Sequence, residues 1–423
     1  MRNKALIRGG VGVAAVALAA AACGSSAVGS HSAASGSSHS GAPSASMSPM
    51  GTPATTGFTA TPAATLYAGL DELLTEHVDL TANVVQTAVT TSPSSAATKA
   101  ALAALDQNTV ALGQAFGSVY GAGAQQQFLK LWRAHIGFFV NYTVGTATHD
   151  TAMVAAAKHD LAGYITQFGA FVSGATKLPK AAVAADLQGH VTTLETAINA
   201  IVAKSPDAGQ AVEMAAMHMG GTAQVLAGGI ASSKGLSGSV TGPSASLRAG
   251  LTGLLVQHVA ATGFVAQTAV AAHGDLTNPE VSGAVSALSD NTNQRGAAIG
   301  SVYGPAAQAQ FLKLWRAHIG FFVNYTLGLA THNTARVAAA RQDLGGYITQ
   351  FSAFTSGATK LPKAAVAADL QGHVATLETA INAIVAGRTT ASSSLLTAED
   401  HMAGTGAVLA QGVTTSMPSK FKS

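Results

Sequence analysis

Four histidines occur twice in this 423-residue chain, at matching places: His77, His135, His190 and His218, then His258, His318, His373 and His401. Neutral imidazole is a borderline nitrogen donor that ligates copper, zinc, iron and nickel. Each histidine sits within a run of apolar residues spaced by threes and fours. The first run reads Leu66, Leu70, Leu73, His77, Leu80, Val84, and another reads Phe128, Leu131, His135, Phe138, Tyr142. His190 lies among Val183, Leu187, Leu194 and Ile201, and His218 between Met214 and Val225. Such spacing marks the buried face of a helix. Antiparallel helices of similar length align their midpoints, so four imidazoles are expected to meet in one layer. Met219 and Met402 follow the last histidine of each set and, with Met214, offer a sulfur donor.

The donor set indicates the metal. No inward Glu-x-x-His pair of the di-iron kind is present. Imidazoles with a thioether suit copper first and zinc second. Haem with two axial histidines is a further alternative, although no Cys-x-x-Cys-His exists for covalent attachment. The competing reading is a set of merely buried neutral histidines, hydrogen-bonded to Asn108, Tyr120, Tyr142, Asp160 or Glu195.

The elements that must position these residues are written twice. Residues 124–143 and 307–326 differ only at Gln126 against Ala309, and residues 173–203 and 356–386 only at Thr192 against Ala375. His77 and His218 lie where the repeats have drifted, yet the pairs His-Val (77–78, 258–259) and His-Met (218–219, 401–402) survive. Asn108 and Tyr120 likewise match Asn291 and Tyr303. By contrast Glu76 becomes Gln257 and His159 becomes Gln342, so both read as dispensable. The fold class is all-α: two tandem copies of a roughly six-helix antiparallel bundle, residues 62–231 and 247–415, after a disordered tether. In the first repeat the helices are expected near 64–91, 95–120, 122–148, 151–173, 179–203 and 207–231, with Pro179 in a first turn. A Gly/Ser-rich linker spans 232–246 and a tail 416–423. Each repeat, near 170 residues, is expected to fold alone.

Composition excludes several functions. Charged residues are 10% of the chain, and outside the first 22 residues the 22 − 3 = 19 basic residues balance 19 acidic ones. A nucleic-acid partner needs clustered Lys and Arg, so none is expected. The single cysteine, Cys23, rules out an intrachain disulfide or a multi-Cys metal site. No nucleophile elbow, phosphate-cradling loop or H-E-x-x-H is present, so no enzyme is indicated. Arg2, Lys4 and Arg8 precede the apolar Val11–Leu18 and the small residues up to Cys23, the order of a secretory signal over 1–23. Residues 24–61 are rich in Ser, Gly and Ala, and carry no charge.

The segment Leu18-Ala-Ala-Ala-Ala-Cys23 resembles the lipobox of bacterial lipoproteins, which implies a lipid on Cys23 and an anchor on the outer face of the cell membrane. The blocks Glu76-His77, Leu105-Asp-Gln-Asn-Thr109, Ser118-Val-Tyr-Gly121, Leu131-Trp-Arg-Ala-His-Ile136, Phe139-Val-Asn-Tyr142 and His218-Met219 resemble a helical domain of secreted Gram-positive lipoproteins, sometimes labelled copper amine oxidase-like. Amine oxidases make their quinone from the Tyr of Thr-x-x-Asn-Tyr-Asp/Glu. Here Phe138 and Thr143 stand where the Thr and the acid belong, so the resemblance implies an extracytoplasmic domain and copper, not oxidase chemistry. The sequence is thus read as a lipid-anchored protein that binds, stores or delivers one metal ion per repeat. The alternative is a cell-surface structural or interaction protein without metal.

Overall fold

The first long helix starts for a local reason. The Thr61 hydroxyl accepts from the Ala64 N–H at 3.3 Å, and Pro62 supplies the preset φ of a first turn. A computed structural model describes residues 57–421. Cys23, the signal segment and the tether as far as residue 56 lie outside them. A short 3-10 turn, Phe58–Ala60, precedes twelve helices. The first repeat comprises α1 (Pro62–Thr90), α2 (Ala96–Tyr120), α3 (Ala122–Ala147), α4 (Thr151–Thr176), α5 (Lys180–Val202) and α6 (Ala208–Lys234). The second comprises α7 (Pro243–Ala271), α8 (Pro279–Tyr303), α9 (Pro305–Ala330), α10 (Thr334–Thr359), α11 (Lys363–Val385) and α12 (Ala391–Ser416). No strand occurs among the described residues.

Capping sets the joins. Ser95, Asp150 and Asn333 each accept a backbone N–H in the first turn of the helix they open. Pro179 stands one place earlier than expected. With ψ 125° it is the N-cap of α5, its carbonyl accepting from Val183 N–H at 3.1 Å. The Gly/Ser linker is shorter than its composition implied, because residues 232–234 continue α6 and residues 243–246 begin α7. The end of the expected tether is docked: Arg248 donates to the Thr59 carbonyl at 2.7 Å, and Thr59 Oγ1 donates to Gln411 Oε1 at 2.9 Å. The tail docks too, with the Ser244 hydroxyl donating to the Phe421 carbonyl at 3.0 Å.

The two bundles share a core. α1 and α7 lie side by side, each also packed on the last helix of its own repeat, while α6 meets α8 and α12 meets α2. The contacts are reciprocal, as in a two-fold dimer fused into one chain. One apolar cluster runs from Leu74 and Val78 of α1 to Phe264 and Val265 of α7 and Leu288 of α8. Another joins Leu80, Val84 and Leu105 to Leu396 of α12. Small residues permit the close approach: a Cβ on Gly283 would overlap the Pro206 carbonyl. α7 has an 18-residue window of mean hydropathy 1.4, but 72% of that window is buried, as suits a core helix.

Candidate metal centre

The odd-numbered helices carry the site. His77 on α1, His135 on α3 and His190 on α5 are buried (1%, 0% and 3% exposed), and each offers one nitrogen within 4.8 Å of the others. His258, His318 and His373, on α7, α9 and α11, repeat the arrangement. His77 Nε2 and His135 Nε2 lie 3.3 Å apart, and His258 Nε2 and His318 Nε2 lie 3.2 Å apart. Aromatic rings close the group in. Tyr164 stacks on His135 at 4.7 Å between centroids, and Trp132 lies 4.9 Å from His77 and 4.7 Å from His135.

Buried nitrogen normally has a hydrogen-bond partner. Here the two facing Nε2 atoms satisfy one another and the Trp132 carbonyl faces His135, but Nδ1 of His77 and both nitrogens of His190 have no partner. In the second repeat the Trp315 carbonyl faces His318, while Nδ1 of His258 and both nitrogens of His373 have no partner. Asp160, offered as a partner by the competing reading, is exposed, and the other four residues offered are engaged elsewhere. Asn108 Nδ2 donates to Glu76 Oε2 at 3.1 Å and to the Leu73 carbonyl at 2.9 Å. Tyr142 donates to Asn199 at 3.0 Å, Tyr120 pairs with Ser233 at 3.3 Å, and Glu195 meets Lys158 at 3.2 Å. Burial, and then the neighbouring imidazoles, hold His77 and His135 well below the usual histidine range. Burial also lowers His190 to about 4 and His373 to about 3. All six rings are therefore neutral near pH 7, the form that ligates metal.

The fourth histidine is not in the layer. His218 Nε2 donates to the Asp186 carbonyl at 3.0 Å, and its ring is 26% exposed. It lies against Gly189, where a Cβ would come within 2.6 Å of Cε1, so it sits beside α5 while His190 on the same helix turns inward. His401 repeats this on Asp369 and Gly372. The expected stripe of α6 was the wrong face. Met214 is 60% and Val225 49% exposed, while Ala211, Ala215, Met219, Ala223 and Ala227 are buried. Met219 and Met402 lie in the apolar core. Those methionines join the core as packing residues.

Sequence reasoning also missed carboxylates. Glu76, read as dispensable, is 1% exposed, and it groups with Glu72 of α1 and Asp400 of α12 where the repeats meet. Glu399, with 0% exposure, has both carboxylate oxygens unpaired. The available signal was local: Asp71, Glu72, Glu76 and Asp79 are acids whose places in the second repeat hold Thr252, Gly253, Gln257 and Ala260. Each acid adds a repeat-specific charge in a charge-poor chain. Each repeat thus has buried histidines able to hold a metal ion, and the junction adds a carboxylate group.

These acids impose a pH dependence. Burial raises Asp71 to about 7; burial and Asp400 raise Glu72 to about 7; burial and Asp290 raise Glu213 to about 7. Tyr67 and the Gly253 N–H face Asp71, while Arg248 and Asp71 face Glu72. A raised carboxyl pKa means that the folded chain holds more protons than the unfolded one, so stability falls as pH rises from about 4 towards 8. The buried histidines have the opposite slope, but only below their unperturbed value of about 6.5. Between pH 6 and pH 8 that opposing slope offsets the acids only in part. Asp71 alone contributes a loss of about 1.4 kcal/mol between pH 6 and pH 8. The metal-free protein is expected to melt at a lower temperature at pH 8 than at pH 6. Asp71→Asn with Glu72→Gln should reduce that difference, the remainder resting on Glu76, Asp79, Glu213 and Glu399. A melting temperature that is flat or rising over this range would contradict the assignment.

Comparison with known proteins adds no relative: no family model, curated protein or solved structure matches the chain.

Proposed function

We propose that the protein binds one transition-metal ion per repeat, copper first, on His77, His135 and His190 and on His258, His318 and His373, for storage or delivery. One observation carries the reading: three buried neutral imidazoles per repeat face one another, and three of their nitrogens have no other partner. An all-imidazole set enclosed by Trp132, Phe139 and Tyr164 suits copper, whose monovalent ion accepts three nitrogen donors. Zinc on three histidines wants a fourth ligand, commonly water, and comes second. Haem is disfavoured because the rings are in mutual contact, leaving no width for a porphyrin between them.

Titration of the purified chain with cuprous and zinc ions, with elemental analysis, is the test. Two ions per chain are expected. A flat titration in both metals would leave a helical surface protein whose histidines are merely buried.

The site also belongs, on this reading, to a lipid-anchored protein outside the cytoplasm. The support is the order of basic, apolar and small residues before Cys23. Cys23→Ser is expected to move the protein from the membrane fraction into the medium, read by fractionation and immunoblot. Undiminished membrane retention would remove the anchor.

A further inference from the structure

We propose that the second repeat holds a binding site for a slim amphipathic anion, an alkyl-chain carboxylate in class, with Arg295 as the partner of its head group. Arg295 on α8 is 3% exposed, and its Nε, Nη1 and Nη2 find no acceptor. The guanidinium lies over the Trp315 ring, 4.7 Å from its centroid. Ring attraction offsets only part of the hydration that a buried cation loses. Burial pushes the group down to about 9, which still leaves it charged at neutral pH. The fields of Tyr347 and then Glu213 reach Arg295, whose own charge faces His258, His318 and His373, and Glu213 accepts instead from Gln294 at 2.7 Å.

Arg295 lines a narrow cleft, with Leu255, Phe311, Trp315, Phe351 and Leu409 among its walls. Nearly all of that lining is apolar, so a sugar or nucleotide would bury polar groups without partners. An alkyl chain would not. A carboxylate matches the planar fork of a guanidinium with two parallel hydrogen bonds. The chain itself supplies a control. An equivalent cleft in the first repeat keeps Phe128, Trp132, Phe168 and Leu226 at the corresponding places, but Leu112 stands where the second repeat has Arg295. Cleft and cation occur together in one repeat only.

Octanoate and 1-octanol share a tail and differ in the head group, so calorimetric titration of the full metal-free chain separates the two contributions. One octanoate per chain is expected, bound at least ~10-fold tighter than octanol, because a charge-assisted pair outweighs a neutral hydrogen bond. Arg295→Leu, which installs the residue of the first repeat, should erase that preference. In the Trp132→Phe variant, Trp315 becomes the sole indole, and its emission should respond to octanoate. Equal affinities for the two ligands, an undiminished preference in Arg295→Leu, inorganic phosphate binding as tightly as octanoate, or no octanoate binding would each overturn the site.

Discussion

Replacing His77 and His258 together by alanine is expected to empty both metal sites at once. Each supplies one of three donors, and His77 contacts both partners, its ring centroid 5.2 Å from that of His135 and 5.8 Å from that of His190. Loss of a donor should weaken binding by more than the roughly 10–100-fold seen when a residue that only orients a ligand is removed. His77→Ala alone should leave one ion per chain. His218→Ala with His401→Ala should leave two, because those rings bond to backbone carbonyls beside the bundle. His159→Ala should also leave two, since that residue is exposed. Stoichiometry by elemental analysis after gel filtration checks all four variants. Retention of both ions by the His77/His258 pair would refute the three-imidazole site. Loss of both in the His218/His401 pair would restore the four-histidine layer expected from spacing. The pH profile is a second readout. The unperturbed histidine value places loss of metal near pH 6.5. Burial lowers the proton affinity of these rings, so binding should persist well below pH 6.5.

The histidine layer was legible because large apolar residues bracket it. Phe128, Leu131 and Leu187 mark the buried sides of α3 and α5, and His135 and His190 follow; His77 lies on α1, which is buried almost all round. α6 has no such marks. Its packed face is Ala211, Ala215, Ala216, Ala223 and Ala227, chosen for close approach, while the bulky Met214 and Val225 face solvent. Following hydrophobic bulk therefore turned His218 inward when the helix turns it aside. The carboxylates were hidden for a different reason. Comparison of the repeats treats a change such as Glu76 against Gln257 as loss of importance. It cannot register that one repeat's α1 packs on the other's α7, so that the two corresponding places serve different sides of one junction.

That junction sets the second large effect. Residues 62–231 alone are expected to fail as a stable monomer, although the Gly/Ser-rich connection implied an autonomous bundle. α1 is buried almost all round in the intact chain, with α6 against one side and α7 against another. Removing the second repeat uncovers the Leu80–Val84 surface that Leu396 covers, and the surface that Phe264, Val265 and Leu288 complete. Each large apolar side chain left in water forfeits roughly 1.5–3 kcal/mol. A few of them approach the whole stability of a domain, about 5–15 kcal/mol. The fragment could recover this surface by pairing with itself, but then Asp71, Glu72, Glu76 and Asp79 of one α1 would face the same acids of another. The second repeat carries Thr252, Gly253, Gln257 and Ala260 there, and Gly253 admits the Asp71 carboxylate, to which a Cβ would come within 2.5 Å. Residues 243–421 are therefore expected to self-associate readily, and an equimolar mixture to form the 1:1 complex in preference to either homodimer. Light scattering behind gel filtration gives the masses, and far-ultraviolet circular dichroism gives the helix content. A monomeric 62–231 fragment that melts cooperatively near the temperature of the full chain would show two independent bundles instead.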